Sequence, residues 1–114
     1  MKPQIKKLWV AALRSGEYTQ GIGRLRTDDN KFCCLGVLCA IHAESTPSFK
    51  VRPDPLGHLL NRSAIPLDVT KWSGVNFSYG DHVVIDGTSR CLSDHNDCAG
   101  ATFLQLADAI ESQL

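Results

Sequence analysis

The sequence predicts an α+β fold in a single domain spanning residues 1–114. Three observations predict it: apolar residues recur at helical spacing near both ends, an apolar block fills 33–43, and the stretches between hold short β-forming runs bounded by turn residues. The chain is long enough for one hydrophobic core. Its 43% hydrophobic and 21% charged residues place it with globular rather than disordered chains.

The first helix is read from Ile5, Leu8, Trp9, Ala12 and Leu13, which fall at i, i+3, i+4, i+7 and i+8 and form one apolar stripe. Pro3 suits its first turn, and Gly16 suits the left-handed residue that ends it. Residues 17–32 read as a β-hairpin. Tyr18 to Thr27 is the outgoing strand, Asp28-Asp29-Asn30 the turn, and Lys31-Phe32 the start of the return. Residues 33–43 then read as a second helix. Cys33, Cys34, Leu35, Val37, Leu38, Cys39 and Ile41 cover nearly its whole circumference, so it belongs in the centre of the domain. A buried strand is the competing reading, although the block is long for one. Gly36 inside this helix points to a close approach by another backbone.

From Glu44 to Ser63 the chain is irregular, punctuated by Pro47, Pro53, Pro55 and Gly57. A short helix is suggested over Ile65–Trp72, with Val69 and Trp72 on one side and Gly74 at its end. Residues 82–86 form a strand that Gly87 turns. The last helix has Thr102 as N-cap and Gln105 completing a capping box, with a stripe of Phe103, Leu106, Ala107, Ile110 and Leu114. Together these elements predict terminal amphipathic helices packed on a small antiparallel sheet, with the cysteine-rich helix between them.

Net charge is zero but unevenly spread. Residues 1–31 carry seven basic side chains against three acidic, and the remainder five against nine. Such a balance argues against nucleic acid as a partner and leaves a local basic face that could attract an anion. No apolar run is long enough to span a membrane, and the first residues contain no signal-peptide apolar region. The protein is therefore expected in the cytoplasm, where its five cysteines would be thiols rather than disulfides.

Several constellations could carry chemistry. Gly21-x-Gly23 followed by Arg24 and Arg26 offers backbone N–H groups and guanidinium groups to an anion. With Tyr18 and Gln20 these are the expected ligand-binding residues. Glycine in a strand also marks bulges, and the segment lacks the third glycine of a dinucleotide fingerprint and the Lys-Ser/Thr of a P-loop. On one helix Cys33, Cys34, Cys39 and His42 point in different directions and cannot converge on one ion. Cys91, His95 and Cys98, expected in a loop, are the alternative metal set, for a zinc-dependent enzyme or a zinc-stabilised module. Asp94, Asn96 and Asp97 resemble part of a calcium loop but lack its glycine and distal glutamate. No nucleophile–base pattern of a known hydrolase is present, and no cofactor is expected.

The run Phe32-Cys33-Cys34-Leu35-Gly36-Val37-Leu38-Cys39 resembles a family of small uncharacterised proteins of bacteriophages and prophages. The likeness extends to Trp9–Tyr18, Gln20–Leu25, Ile65-Pro66 with Val69 and Trp72, Asn96-Asp97, and Thr102-Phe103 with Ala107-Asp108 and Ile110-Glu111. The family's acid after the third cysteine is Ala40 here, and His95 interrupts its Leu-Asn-Asp pattern. The resemblance implies provenance rather than a reaction. The expected function is that of a non-catalytic accessory protein in the bacterial host's cytoplasm, binding a host protein or a small anionic ligand such as a nucleotide.

Overall fold

A computed structural model describes residues 1–114. In chain order the elements are α1 (Pro3–Ser15), α2 (Cys34–Ser45), α3 (Pro47–Lys50), a 3-10 turn (Gly57–Leu59), α4 (Leu67–Ser73), β1 (His82–Ile85), β2 (Thr88–Cys91), α5 (Leu92–Asp97) and α6 (Phe103–Gln113). They make one α+β domain around a single core.

The centre is α2. Every residue from Cys34 to Ala43 is buried, and Leu35, Val37, Leu38 and Cys39 are wholly inaccessible. Each buried leucine contributes about 1.5–3 kcal/mol through apolar burial. Leucine is also a good helix former, so propensity and burial favour the same state. The helix starts at Cys33, whose sulfur accepts the Gly36 N–H at 3.4 Å. Gly36 is required by space. A Cβ there would lie 1.8 Å from the Leu25 carbonyl oxygen.

Against α2 pack α1, α3, α4 and α5, while α6 packs on α1, so the cysteine-rich helix does not lie between the two terminal helices as expected. Of the α1 stripe Trp9 and Leu13 are buried, while Leu8 is half-exposed and Val10, outside the stripe as read, is buried in its place; the Trp9 indole N–H donates to the Cys34 carbonyl at 2.9 Å. Gly16 ends α1 at φ 78°. The capping box of α6 forms as expected: Thr102 Oγ1 accepts the Gln105 N–H at 3.2 Å, and Gln105 Oε1 accepts the Thr102 N–H at 2.9 Å. The two helices are further joined by Arg14, which reaches Asp108 at 2.7 Å and Glu111 at 3.0 Å. These exposed pairs contribute little stability.

The sheet is one antiparallel pair, β1–β2, with Val83 opposite Arg90 and Ile85 opposite Thr88. Asp86 and Gly87 turn it with φ values of 53° and 77°, as a two-residue I′ hairpin demands. Gln113 covers the outer edge of β1. Its Oε1 accepts the Val84 N–H at 2.7 Å, and its Nε2 donates to the Val84 carbonyl at 2.8 Å. The sheet therefore leans on α6, and the terminal helices pack mainly on each other rather than both on the sheet.

Residues 17–32 do not form the expected hairpin. Phe32 makes isolated bridges to Gln20 and Arg26, and Arg26 makes another to Leu60, but no ladder develops. Gly21 presses on Lys31, and Gly23 takes φ 80°, which breaks the extended run. The turn alone stands: Thr27 N–H donates to the Lys31 carbonyl at 2.8 Å, with Asn30 at φ 62°. The loop expected around His95 is instead the short helix α5.

Burial pushes the thiols of Cys33, Cys34 and Cys39 upward, that of Cys33 to about 11. A thiol raised in the folded state lends stability below its ordinary value of 9.0 and withdraws it as pH rises through the folded value. The melting temperature is therefore expected to fall progressively between pH 9 and 11, as thermal melts across that range would show. Gly36→Ala forces a side chain onto the Leu25 carbonyl. It is expected to cost about 3 kcal/mol or more by urea denaturation, with a melting temperature lower by about 10 °C or more.

Candidate anion-binding site

The expected ligand residues lie on the irregular loop before α2, and the structure gives most of them internal partners. Gln20 Nε2 donates to Asn96 Oδ1 at 2.9 Å and to the Ala101 carbonyl at 2.8 Å, while its Oε1 accepts the Phe103 N–H at 3.1 Å. Asn96 is the matching hub. Its Oδ1 also accepts the Cys34 N–H at 3.2 Å, and its Nδ2 donates to the Gly21 carbonyl at 2.9 Å and to Asp97 Oδ1 at 2.8 Å. One buried amide thus ties the loop, the start of α2 and α5 together. Tyr18 packs edge-on against Phe32 and donates to Glu44 at 3.2 Å; burial first, then Glu44, pushes its phenol to about 12. Arg26 is committed to Asp54 at 3.0 Å and Asn30 at 2.9 Å. Arg24 is exposed and bonds only the carbonyl of Gly23, at 2.8 Å.

The alternative metal set is divided. Cys91 and Cys98 face a cleft of about 470 Å³ between β2 and α5, together with His82, Arg90, Ser93, Asp94 and Asp97. His95 is buried instead and meets the Val83 carbonyl through Nε2 at 2.7 Å. No three His, Cys, Asp or Glu side chains come together as a metal-holding group. Within the cleft the charges are already matched: Arg90 pairs with Asp94 at 2.9 Å, and Asp97 accepts from Asn96 and Ser93. Although it is the largest depression, it holds no buried side-chain nitrogen or oxygen that lacks a hydrogen-bond partner.

A smaller pocket of about 220 Å³ does. It forms where the last turn of α2 meets α3, the 3-10 turn and α4, and it is lined by His42, Phe49, Arg52, His58, Arg62, Pro66, Asp68 and Val69. Its rings brace one another. Phe49 lies 4.6 Å from His58 and 5.6 Å from His42, and Trp72 packs edge-on to His42 at 5.0 Å. Arg52 lies flat over Phe49 at 4.4 Å, a cation–π contact that holds the guanidinium in place. Neither Arg52 nor Arg62 has a carboxylate within ion-pair distance. The Arg62 carbonyl accepts the Leu25 N–H at 2.6 Å, which sets the loop of Arg24 beside this pocket.

His42 is 6% exposed, and its Nδ1 has no hydrogen-bond partner. His58 Nδ1 is likewise unpartnered, the Pro55 backbone lying beside it outside hydrogen-bonding geometry. Burial and then Arg52 hold His58 below the ordinary histidine range. A buried polar atom left unsatisfied costs about 1–3 kcal/mol, so two in one place mark a site that favours a ligand. The sequence singles out none of these residues as a ligand for an anion. The available signals were arginines at 52 and 62 with no acid four residues away, and His42 at the end of an all-apolar block.

The fold and pocket define a small α+β domain with inert core thiols and a basic, partly unsatisfied cavity. The family described as a domain of unknown function, DUF8296, matches residues 1–114, and the chain belongs to it. No curated protein and no solved structure matches the chain.

Asn96→Asp tests the hub beside the loop. It replaces the donor to Gly21 by a carboxylate at a residue 1% exposed. A loss of about 2–4 kcal/mol is expected at pH 7. Burial raises the new carboxyl above its unfolded value, so the loss is smaller at pH 4 and grows as pH rises, as denaturant titrations at both pH values would show.

Proposed function

We propose that this chain is a non-catalytic accessory protein of phage or prophage origin that acts in the host cytoplasm by binding a small anionic ligand. The cysteine motif and its flanking matches support the provenance. The structure has no helix long and apolar enough to cross a membrane. One observation carries the binding reading: two arginines without ion pairs share a pocket with a buried histidine whose Nδ1 has no partner. Guanidinium groups without carboxylate partners are free to form charge-assisted, bidentate hydrogen bonds with an incoming anion. Non-catalytic action is supported by the cysteines of α2, whose thiols are buried and held protonated, the opposite of an activated nucleophile.

Calorimetric titration of the purified chain with inorganic phosphate, a mononucleotide and citrate tests the reading. At least one should bind, and Arg62→Ala or Arg52→Ala should each weaken it roughly tenfold or more. Arg24→Ala, on the adjoining loop, should weaken it less. Failure of all three ligands to bind would remove the anion reading. A larger loss at Arg24 than at Arg62 would move the ligand onto the loop.

A further inference from the structure

We infer that the pocket of Arg52, Arg62, His42 and His58 takes a tetrahedral phosphate group, and that a proton enters the site with it. This rests on the anion reading above and names the group bound. The argument begins with counting donors. A carboxylate offers two oxygens, whose lone pairs two bidentate guanidinium groups would use up. The pocket holds those two guanidinium groups and, beyond them, two ring nitrogens without partners. A terminal phosphate brings three acceptor oxygens and up to two charges, which matches the larger donor set.

Size agrees. Pockets that enclose a whole drug-sized ligand run to roughly 300–1,000 Å³. About 220 Å³ admits one such group and leaves the remainder of the molecule outside, beside the loop of Arg24. The shared chemistry is the phosphate group, whether free, on a sugar or on a nucleotide.

Proton uptake follows from the charges around His58. Arg52 and Arg62 oppose its protonation, Asp68 favours it, and Asp54 nearby is tied to Arg26. His42 faces the same two arginines and Asp68 across the pocket, with Phe49 and Trp72 packed against its ring. A dianion neutralises the arginines, and what is left, Asp68 and the dianion itself, favours the charged imidazole. A charged imidazole donates through both ring nitrogens, so the orphan Nδ1 acquires an acceptor.

Sulfate separates this from the titration of phosphate itself, because it stays a dianion across the range. Sulfate should bind the wild-type chain and bind more tightly as pH falls from the histidine's pKa in the complex to its lower value in the free chain, by roughly tenfold per pH unit at most, the limit for one proton taken up. His58→Gln, on a partly exposed turn and checked for folding by circular dichroism, should flatten that dependence. Inorganic phosphate, a sugar phosphate and a mononucleotide at pH 8 should all compete with sulfate, and acetate should not. Tetrahedral dianions failing to bind while citrate or acetate binds would overturn the phosphate assignment and leave the anion reading standing. Sulfate affinity independent of pH in the wild type, or an unchanged pH dependence in His58→Gln with His42→Gln also without effect, would overturn the proton uptake. No anion binding at all would remove both readings.

Discussion

The Leu25 carbonyl oxygen occupies the space that any side chain at residue 36 would need. That contact sets a loop backbone directly on a buried helix, and much of the molecule is arranged to make it tolerable. Backbone brought into a dry interior must have its N–H and C=O groups satisfied. Leu25 N–H finds the Arg62 carbonyl, Gly21 N–H finds Phe32, and the Gly21 carbonyl finds Asn96. The loop is irregular because its polar groups are taken by several separate elements rather than by one neighbouring strand. Cys33 fits the same constraint. Its sulfur caps α2 where the residue is 3% exposed, as a small apolar side chain that can still accept weakly.

The cysteines divide accordingly. Three lie in the core with raised thiols and act as packing groups, while Cys91 and Cys98 sit on the surface side of α5. Their spacing in the chain is compatible with metal binding. In the fold the set is divided: α5 turns His95 inward to the Val83 carbonyl, while the two thiols line the cleft outside.

What the sequence revealed follows from where local physics decides structure. The helix α1 with Gly16, the all-apolar α2 and the capping box of α6 rest on helical periodicity and capping and appear as read, save that the buried face of α1 takes Val10 in place of Leu8. The 17–32 segment has β-forming residues, yet its glycines serve contact with Lys31 and a left-handed turn, so tertiary contacts overrode propensity there. Helix α5 carries one wholly buried leucine in six residues, too few to give a period. Gln20, an expected ligand residue, has its amide taken by Asn96, the Ala101 carbonyl and the Phe103 N–H. The pocket was hidden for a similar reason. Its members are spread from 42 to 69, across a stretch that prolines make irregular, and the lack of a partner is visible only in three dimensions.

That pocket also shows what the buried helix contributes beyond packing. His42 stands in the last turn of α2, one residue before the helix leaves the core at Ala43. Were α2 only a packing rod, an apolar side chain would fill that place at no polar cost. Instead a histidine is buried with an unsatisfied nitrogen, and two like-charged arginines line the same space, where the acid in the lining, Asp68, makes no ion pair with either. Each of these choices lowers the stability of the free protein, and a binding site is where such costs are found. The rigid rod that fixes the loop at Gly36 therefore also holds His42 against Trp72 and Phe49, and under the anion reading proposed above the donors would be set in place beforehand.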